Sequence, residues 1–183
     1  MTNHDWVFMV NPAEGTVMPE IEYVTAIQHR LGYSFMEEPG ICKVCQGFLD
    51  IQACHATCCA TADATRGHYA VVQDLLRVMS TVDTATATEV RGLSTIEPSA
   101  RPADILTYAA IPGRCAALDI VVASQEASGA GSDCLITTVK GKYRRYRRIL
   151  QELNAAGISF RPMAWSKEGQ PRSTTMLLLA YFV

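Results

Sequence analysis

The chain has 183 residues, 49% of them hydrophobic and 19% charged, with a formal net charge of −2. That length suits one domain with a small appendage, and the composition excludes a disordered chain, which has fewer apolar residues and more net charge. No apolar run approaches the roughly 20 residues of a membrane span, and Met1–Val10 lacks the basic start and apolar stretch of a signal peptide. These features set the expectation of an intracellular protein, nuclear if the host is eukaryotic, with no membrane partner.

Residues 1–20 show little periodicity and read as a loosely packed arm. Ile21, Val24, Ile27 and Leu31 recur at helical spacing and predict an amphipathic helix over 21–33, ending near Gly32. Glu37 to Gly40 reads as a turn. Residues 42–59 hold five of the seven cysteines and have too few regular apolar positions for a helix or a strand, so a cross-link is expected to hold their shape. Tyr69, Val72, Leu75, Leu76 and Met79 predict a second helix over 67–79, with Asp63 or Thr65 as its cap.

Beyond Asp83 β-branched residues become frequent. Residues 86–93 predict one strand and 105–108 a second. The run 115–123, apolar except for Asp119, carries the pattern of a buried central strand, reached through a turn at Pro112-Gly113. Residues 124–132 form a loop of small residues. A long helix is expected over 133–155, closed by Gly157. Then follow a strand over 158–164, a turn at Gly169 to Pro171 and a last helix over 174–181. The predicted class is α/β. An N-terminal arm, helix and cysteine knuckle fill 1–62, and a core of helix, three-strand meander, helix and strand fills 63–183.

Three constellations carry chemistry. Cys42, Cys45, His55 and Cys59 stand as Cys-x2-Cys-x9-His-x3-Cys. Thiolates and a neutral imidazole are what tetrahedral zinc prefers, and two short pairs joined by a loop suit it. With all four positions filled, such a zinc is structural. Cys58, next to Cys59, offers an equivalent thiolate.

The second constellation is Asp104 and Asp119. If their strands are antiparallel neighbours, the two carboxylates meet. Two acids sharing a site repel, and a divalent cation relieves the repulsion. On position alone, a salt bridge to Arg101 or Arg114 accounts for them equally well. Glu89, on the first strand, is a further acid or an exposed strand-end carboxylate.

The third is a basic run. Lys140, Lys142, Arg144, Arg145, Arg147 and Arg148 lie within nine residues, leaving ten basic residues against eighteen acidic ones elsewhere. Such a patch reads as a polyanion site or as a solvated helix face. Helical spacing puts Lys142, Arg145 and Ile149 near one face, and Arg144 and Arg148 near another. An acid pair on strands facing a lysine on a helix is a layout for phosphodiester hydrolysis, in which the lysine offsets developing negative charge.

From Glu22 to Pro171 these residues together resemble the restriction-like endonuclease region at the C-terminal end of site-specific non-LTR retrotransposon proteins and related reverse-transcriptase-associated proteins. Residues 23–32 look like the helix before that family's zinc knuckle. Cys42, Cys45, Leu49-Asp50, His55-Ala56 and Cys59 match the knuckle itself, although its usual glycine–acidic pair before the histidine is Ala53-Cys54 here. Arg101 to Ile105 and Leu118 to Val122 match the two acidic motifs, with fourteen residues between Asp104 and Asp119. Lys142 with Arg145-Tyr146 looks like the family's lysine followed by a basic–tyrosine pair, with Lys140 as an alternative register. Gly157 to Pro162 looks like the strand that follows. A helix motif with a histidine and an acid fits Arg66, His68 and Asp74 loosely, and His68 on its own reads as a packed or solvent-facing side chain.

The resemblance implies a PD-(D/E)XK restriction-endonuclease-like core and cleavage of DNA with Mg or Mn held by Asp104 and Asp119. Lys142 and Glu89 would complete the catalytic group, and Lys140, Arg144, Arg145, Arg147 and Arg148 would contact nucleic acid. It further implies an adjacent reverse transcriptase and the retroelement RNA as partners. A catalytically inactive, zinc-stabilised nucleic-acid-binding module of the same fold is the alternative, and a protein-interaction domain whose basic helix meets an acidic partner is a third.

Overall fold

The computed structural model describes residues 19–59, 63–124, 133–167 and 169–179. The arm expected before Pro19, all but Ser124 of the small-residue loop, and the end of the last helix lie outside these residues. The chain divides into two compact units, Met1–Cys59 and Ala60–Val183. Together the described residues make a mixed α/β protein with six helices and two sheets.

The first unit opens with helix α1, Glu20–Arg30. Glu20 and Glu22 in its first turn suit the positive end of the helix dipole. Gly32 ends it at φ +72°, where Tyr33 N–H donates to the Gln28 carbonyl (3.0 Å) and Gly32 N–H to that of His29 (3.2 Å). These two bonds form a Schellman cap, which needs the left-handed conformation that glycine adopts without cost.

The cysteine-rich segment is more regular than its sequence suggests. Strands β1 (Gly40–Ile41) and β2 (Phe48–Leu49) pair antiparallel, and a short helix α2 (Cys54–Cys58) follows. Elements of two and five residues are too short for any apolar period to register. Local bonds and turns shape them instead, with Gln46 at φ 62° and Ala53 at φ 56°.

The second unit carries a four-stranded sheet in the order β3-β4-β5-β6. Helix α3, Asp63–Ser80, precedes it and starts four residues before the predicted Gly67, so Asp63 and Thr65 lie within the helix. Strand β3 is only Ala87–Thr88, not the expected 86–93. Glu89 (φ 52°) and Gly92 (φ 72°) leave extended space, so pairing ends just past Thr88, with Glu89 N–H donating to the Asp104 carbonyl at 3.2 Å. Strands β4 (Ile105–Ile111) and β5 (Arg114–Ala123) form a hairpin around Pro112-Gly113. Strand β6, Ile158–Ser166, lies parallel to β5, with Cys115 opposite Ile158 and Ala123 opposite Ser166. A parallel pair needs a crossover, and helices supply it here.

The long helix expected over 133–155 is two. Helix α4, Cys134–Tyr146, is capped by Asp133, whose carboxylate accepts from Ile136 N–H at 2.9 Å. Helix α5 is Leu150–Ala155. Between them, three-residue bonds from Arg147 N–H to the Arg144 carbonyl and from Ile149 N–H to that of Tyr146 tighten the chain. Past this turn Ile149 and Leu153, four residues apart on one helix face, both bury fully against the sheet. Helix α6, Ser173–Leu179, closes the described chain.

Alternation along β5 explains why the sheet is covered on both faces. Ala116, Leu118 and Ile120 pack with Val72 and Met79 of α3, while Ala117 packs with Tyr146, Ile149 and Leu153. Asp119 shares the parity of Ala117, so period two aims it at the side of α4.

Candidate functional site

The first site lies in the cysteine unit. One ligand atom from each of Cys42, Cys45, His55 and Cys59 lies within 4.8 Å of every other. Cys42 follows β1, Cys45 sits in the hairpin turn, and His55 and Cys59 are one helical turn apart at α2. The Cys42 and Cys59 sulfurs are 3.8 Å apart, and Cys45 Sγ is 3.0 Å from His55 Nε2. Two thiolates each about 2.3 Å from a tetrahedral zinc stand roughly 3.8 Å apart, so the donor set fits that ion. Backbone N–H groups of Cys45 and then Val44 bring the Cys42 thiol down to about 6, which favours the thiolate that binds metal. Cys59 occupies the fourth corner, and the Cys58 side chain lies outside the described residues.

Two residues frame this cluster. A Cβ at Gly47 would stand 3.0 Å from His55 Cε1 and 3.2 Å from Cys45 Sγ, so a side chain there would push on two of the four ligands. Its own N–H reaches Cys45 Sγ at 3.4 Å. Asp50 accepts from the N–H groups of Cys54 (3.0 Å) and His55 (3.1 Å), which lowers its carboxyl and pins the start of α2. The signal for Gly47 was a glycine two residues after the second cysteine.

The second site is a cleft of about 750 Å³ in the other unit, lined by His68, Glu89, Asp104, Asp119, Lys142 and Arg145 among others. Asp104 precedes β4, and its N–H donates to the Leu118 carbonyl at 2.9 Å, extending the β4–β5 ladder. That register brings it beside Asp119. Asp104 Oδ2 accepts from Ile120 N–H at 2.7 Å, and its Oδ1 lies 3.6 Å from His68 Nε2.

Asp119 is the most confined acid here. Its side chain is 4% exposed, and burial pushes its carboxyl up to about 6 against the opposing pull of Lys142. Lys142 Nζ donates to Oδ1 at 2.9 Å. The other oxygen, Oδ2, is buried with no hydrogen-bond partner among the described residues. A buried carboxylate oxygen without a donor is costly, and a cation beside Asp104 and Asp119 would satisfy it. The acid pair thus fits a hard divalent ion on the chemistry of its donors.

The remaining candidates divide. Glu89 lines the cleft and is ion-paired to Arg101 at 3.1 Å, both about half exposed. Arg101 is thereby drawn to Glu89, while Arg114 reaches Asn154 Oδ1 at 2.7 Å. Neither arginine makes the salt bridge to Asp119; Lys142 does. Arg145 lines the cleft with its guanidinium 5.4 Å from the Tyr146 ring centroid. Tyr146 itself is buried and donates to the Arg101 carbonyl at 2.7 Å. Lys140, Arg144 and Arg147 are exposed and do not line the cleft, and Arg148 pairs with Glu97 at 3.5 Å.

His68 corrects the sequence reading: it neither packs in the core nor points to open solvent, but faces Asp104, whose carboxylate raises its pKa. The signal was available. His68 continues the buried stripe of Val72, Leu75 and Met79 by one more turn, whereas Tyr69 is half exposed. Asp74 instead pairs with Arg77 on the outer face of α3 at 3.2 Å. No described helix is long and apolar enough to cross a membrane. No family model, curated protein or solved structure matches the chain.

Proposed function

We propose that the second unit is a PD-(D/E)XK restriction-endonuclease-like core that hydrolyses a DNA phosphodiester bond, and that it is the target-cleaving part of a retroelement protein working beside a reverse transcriptase and its RNA. The observation that carries this reading is the unpartnered buried oxygen of Asp119, set beside Asp104 and opposite Lys142 in an open cleft. The order of helix, antiparallel meander, crossover helices and parallel strand supports it.

Asp104 and Asp119 would hold Mg²⁺ or Mn²⁺. Such an ion would supply Lewis-acid chemistry at the phosphoryl group. The chain's residues do the rest. Ile120 N–H fixes Asp104 Oδ2, and His68 flanks its other oxygen, so the carboxylate keeps one orientation. Lys142 presents a cation where negative charge develops on a phosphoryl group. Arg145, at the cleft wall, is placed to meet a backbone phosphate. In the first unit Cys42, Cys45, His55 and Cys59 hold a structural zinc.

The test is nicking of supercoiled plasmid with Mg²⁺ or Mn²⁺ by the wild type and by Asp119→Asn. Nicking that disappears in the variant while DNA binding persists is the expected result. Equal nicking by both would rule the assignment out. Wild-type protein that binds DNA but never nicks it favours the inactive binding module.

A further inference from the structure

A second concavity lies in the same unit and shares no lining residue with the acidic cleft. It is a groove of about 340 Å³ bordered by Arg161 and Pro162 of β6, Arg172 and Thr174 at the start of α6, Tyr143 of α4 and Pro112 of the β4–β5 turn. Its charge is one-sided. The acidic cleft carries four carboxylates beside its cations, whereas the described residues of this groove include two guanidiniums and no acid. The chain as a whole is net negative, so a wholly cationic pocket is not a sample of the average surface.

The donors in this groove are also uncommitted. The side chains of Arg161, Arg172, Thr174 and Tyr143 make no hydrogen bond or ion pair with any described residue. Elsewhere in this unit Arg77, Arg101, Arg114 and Arg148 each have an oxygen partner, whereas Arg91, Arg144 and Arg147 are exposed without one among the described residues, so it is the grouping of two free guanidiniums in one concavity that marks this groove. Tyr143 is held by an edge-to-face contact with Phe160 at 5.4 Å, yet remains 37% exposed. The exposed Pro112 and the tyrosine ring give apolar surface next to the guanidiniums, with buried Pro162 beneath.

We infer that this groove binds a nucleotide unit of a single-stranded nucleic acid, its phosphate on Arg161 and Arg172 and its unstacked base against Tyr143 and Pro112. Guanidinium forks match phosphate oxygens, and a base exposes a face for stacking only when it is out of a duplex. This site goes beyond the proposed hydrolysis and does not depend on it, since the groove works as a strand-holding surface whether or not the cleft cuts. DNA and RNA single strands share the recognised chemistry.

The experiment is fluorescence anisotropy with labelled oligothymidylate and oligouridylate of about 20 nucleotides, and with a duplex of the same length, over a range of salt. The proteins are the wild type, the Arg161→Gln/Arg172→Gln double variant and Tyr143→Leu. The double variant is expected to lose about tenfold or more in single-strand affinity and to lower the salt slope by roughly 1.4, two contacts at about 0.7 each. Tyr143→Leu is expected to lose roughly fivefold or more at all salts, the size of one stacking contact. Duplex affinity stays within about twofold. The preference between the two oligomers identifies which nucleic acid the groove holds. Unchanged single-strand affinity and slope in the double variant overturn the site. Equal losses for duplex and single strand overturn the single-strand assignment and leave only a general cationic surface. Plasmid nicking run on the same double variant separates this test from that of the cleft.

Discussion

Asp119 sits between apolar neighbours on both sides of β5, and its folded environment answers only half of its needs. Removing Lys142 leaves the carboxylate buried and unpaired, a change that costs ~3 to 5 kcal/mol in comparable sites. Lys142→Met is therefore expected to lower the urea midpoint markedly, and Asp119→Asn, which removes the charge instead, is expected to lower it less. Added Mn²⁺ is expected to recover part of the Lys142→Met loss. A midpoint that ignores Mn²⁺ in both wild type and variant argues against a cation between the two acids. In cleavage, Lys142→Ala is expected to lose roughly 10²-fold or more in rate with DNA affinity retained, whereas Lys140→Ala leaves the rate alone, because Lys140 does not line the cleft. At the other site Ala53 holds a left-handed backbone at φ 56°, where an L-residue pays ~1 kcal/mol or more. Ala53→Gly is expected to tighten zinc binding by about fivefold, measured by competition with a chromophoric chelator.

Among the elements, α5 does more than complete the crossover. Glu152 accepts from Ser94 Oγ, from Thr95 N–H at 2.6 Å and from Thr95 Oγ1 at 2.7 Å, so it staples the segment that leads to Asp104. These donors, the Ser94 hydroxyl foremost, hold its carboxyl down to about 2 from 4.5. A carboxylate lowered on folding contributes stability above its unfolded pKa and loses it as pH falls through the folded value. The window here runs from about 4.5 down to about 2. Glu152→Gln is expected to flatten the acid-side stability profile within that window relative to wild type, read by thermal melts at successive pH values. An identical slope in both proteins would show that the staple carries no proton linkage. At the junction of α4 and α5 Ile149 is fully buried and Tyr146 reaches the Arg101 carbonyl. Tyr146→Phe is expected to cost about 1 kcal/mol.

At the scale of the whole molecule the two units rest on different physics. The second has a two-sided sheet core with fully buried Ile105, Leu118, Ile120, Ile149, Leu153 and Met163. In the first, Cys59 is the one buried side chain among the described residues, and Ile21, Leu31, Ile41, Val44 and Phe48 are exposed. A unit with so little core needs a cross-link, and the clustered Cys42, Cys45, His55 and Cys59 would provide it on binding one ion. Full-length protein prepared without chelator is expected to carry one zinc per chain by elemental analysis. Stripping that metal is expected to collapse the dispersed amide NMR signals of residues 19–59 and leave those of 63–179 in place. Signals from 19–59 that survive complete metal removal would show that the cysteine unit folds on its own contacts.

Local chemistry and short-range period were enough, read from sequence, to locate the cysteine–histidine set, the buried strand broken by Asp119, the hairpin turn at Pro112-Gly113 and the order of helices and strands around them. Each is written within a few residues, as ligand spacing, an apolar run or a turn pair. The tertiary structure decided what depends on partners distant in the chain. The strand after Asp83 stops at Thr88 because the backbone turns at Glu89 and Gly92. The long helix breaks at Arg147, where bonds from Arg147 N–H to the Arg144 carbonyl and from Ile149 N–H to that of Tyr146 span three residues, and no apolar period marks that change. His68 turns to Asp104 because the core stripe of α3 extends one turn further than its aliphatic residues show. Asp119 takes Lys142 as its partner, not Arg101 or Arg114, because strand alternation aims it at α4 while those arginines meet Glu89 and Asn154. Which cation meets which acid is set by where the sheet places each side chain, and no spacing along the chain encodes that distance.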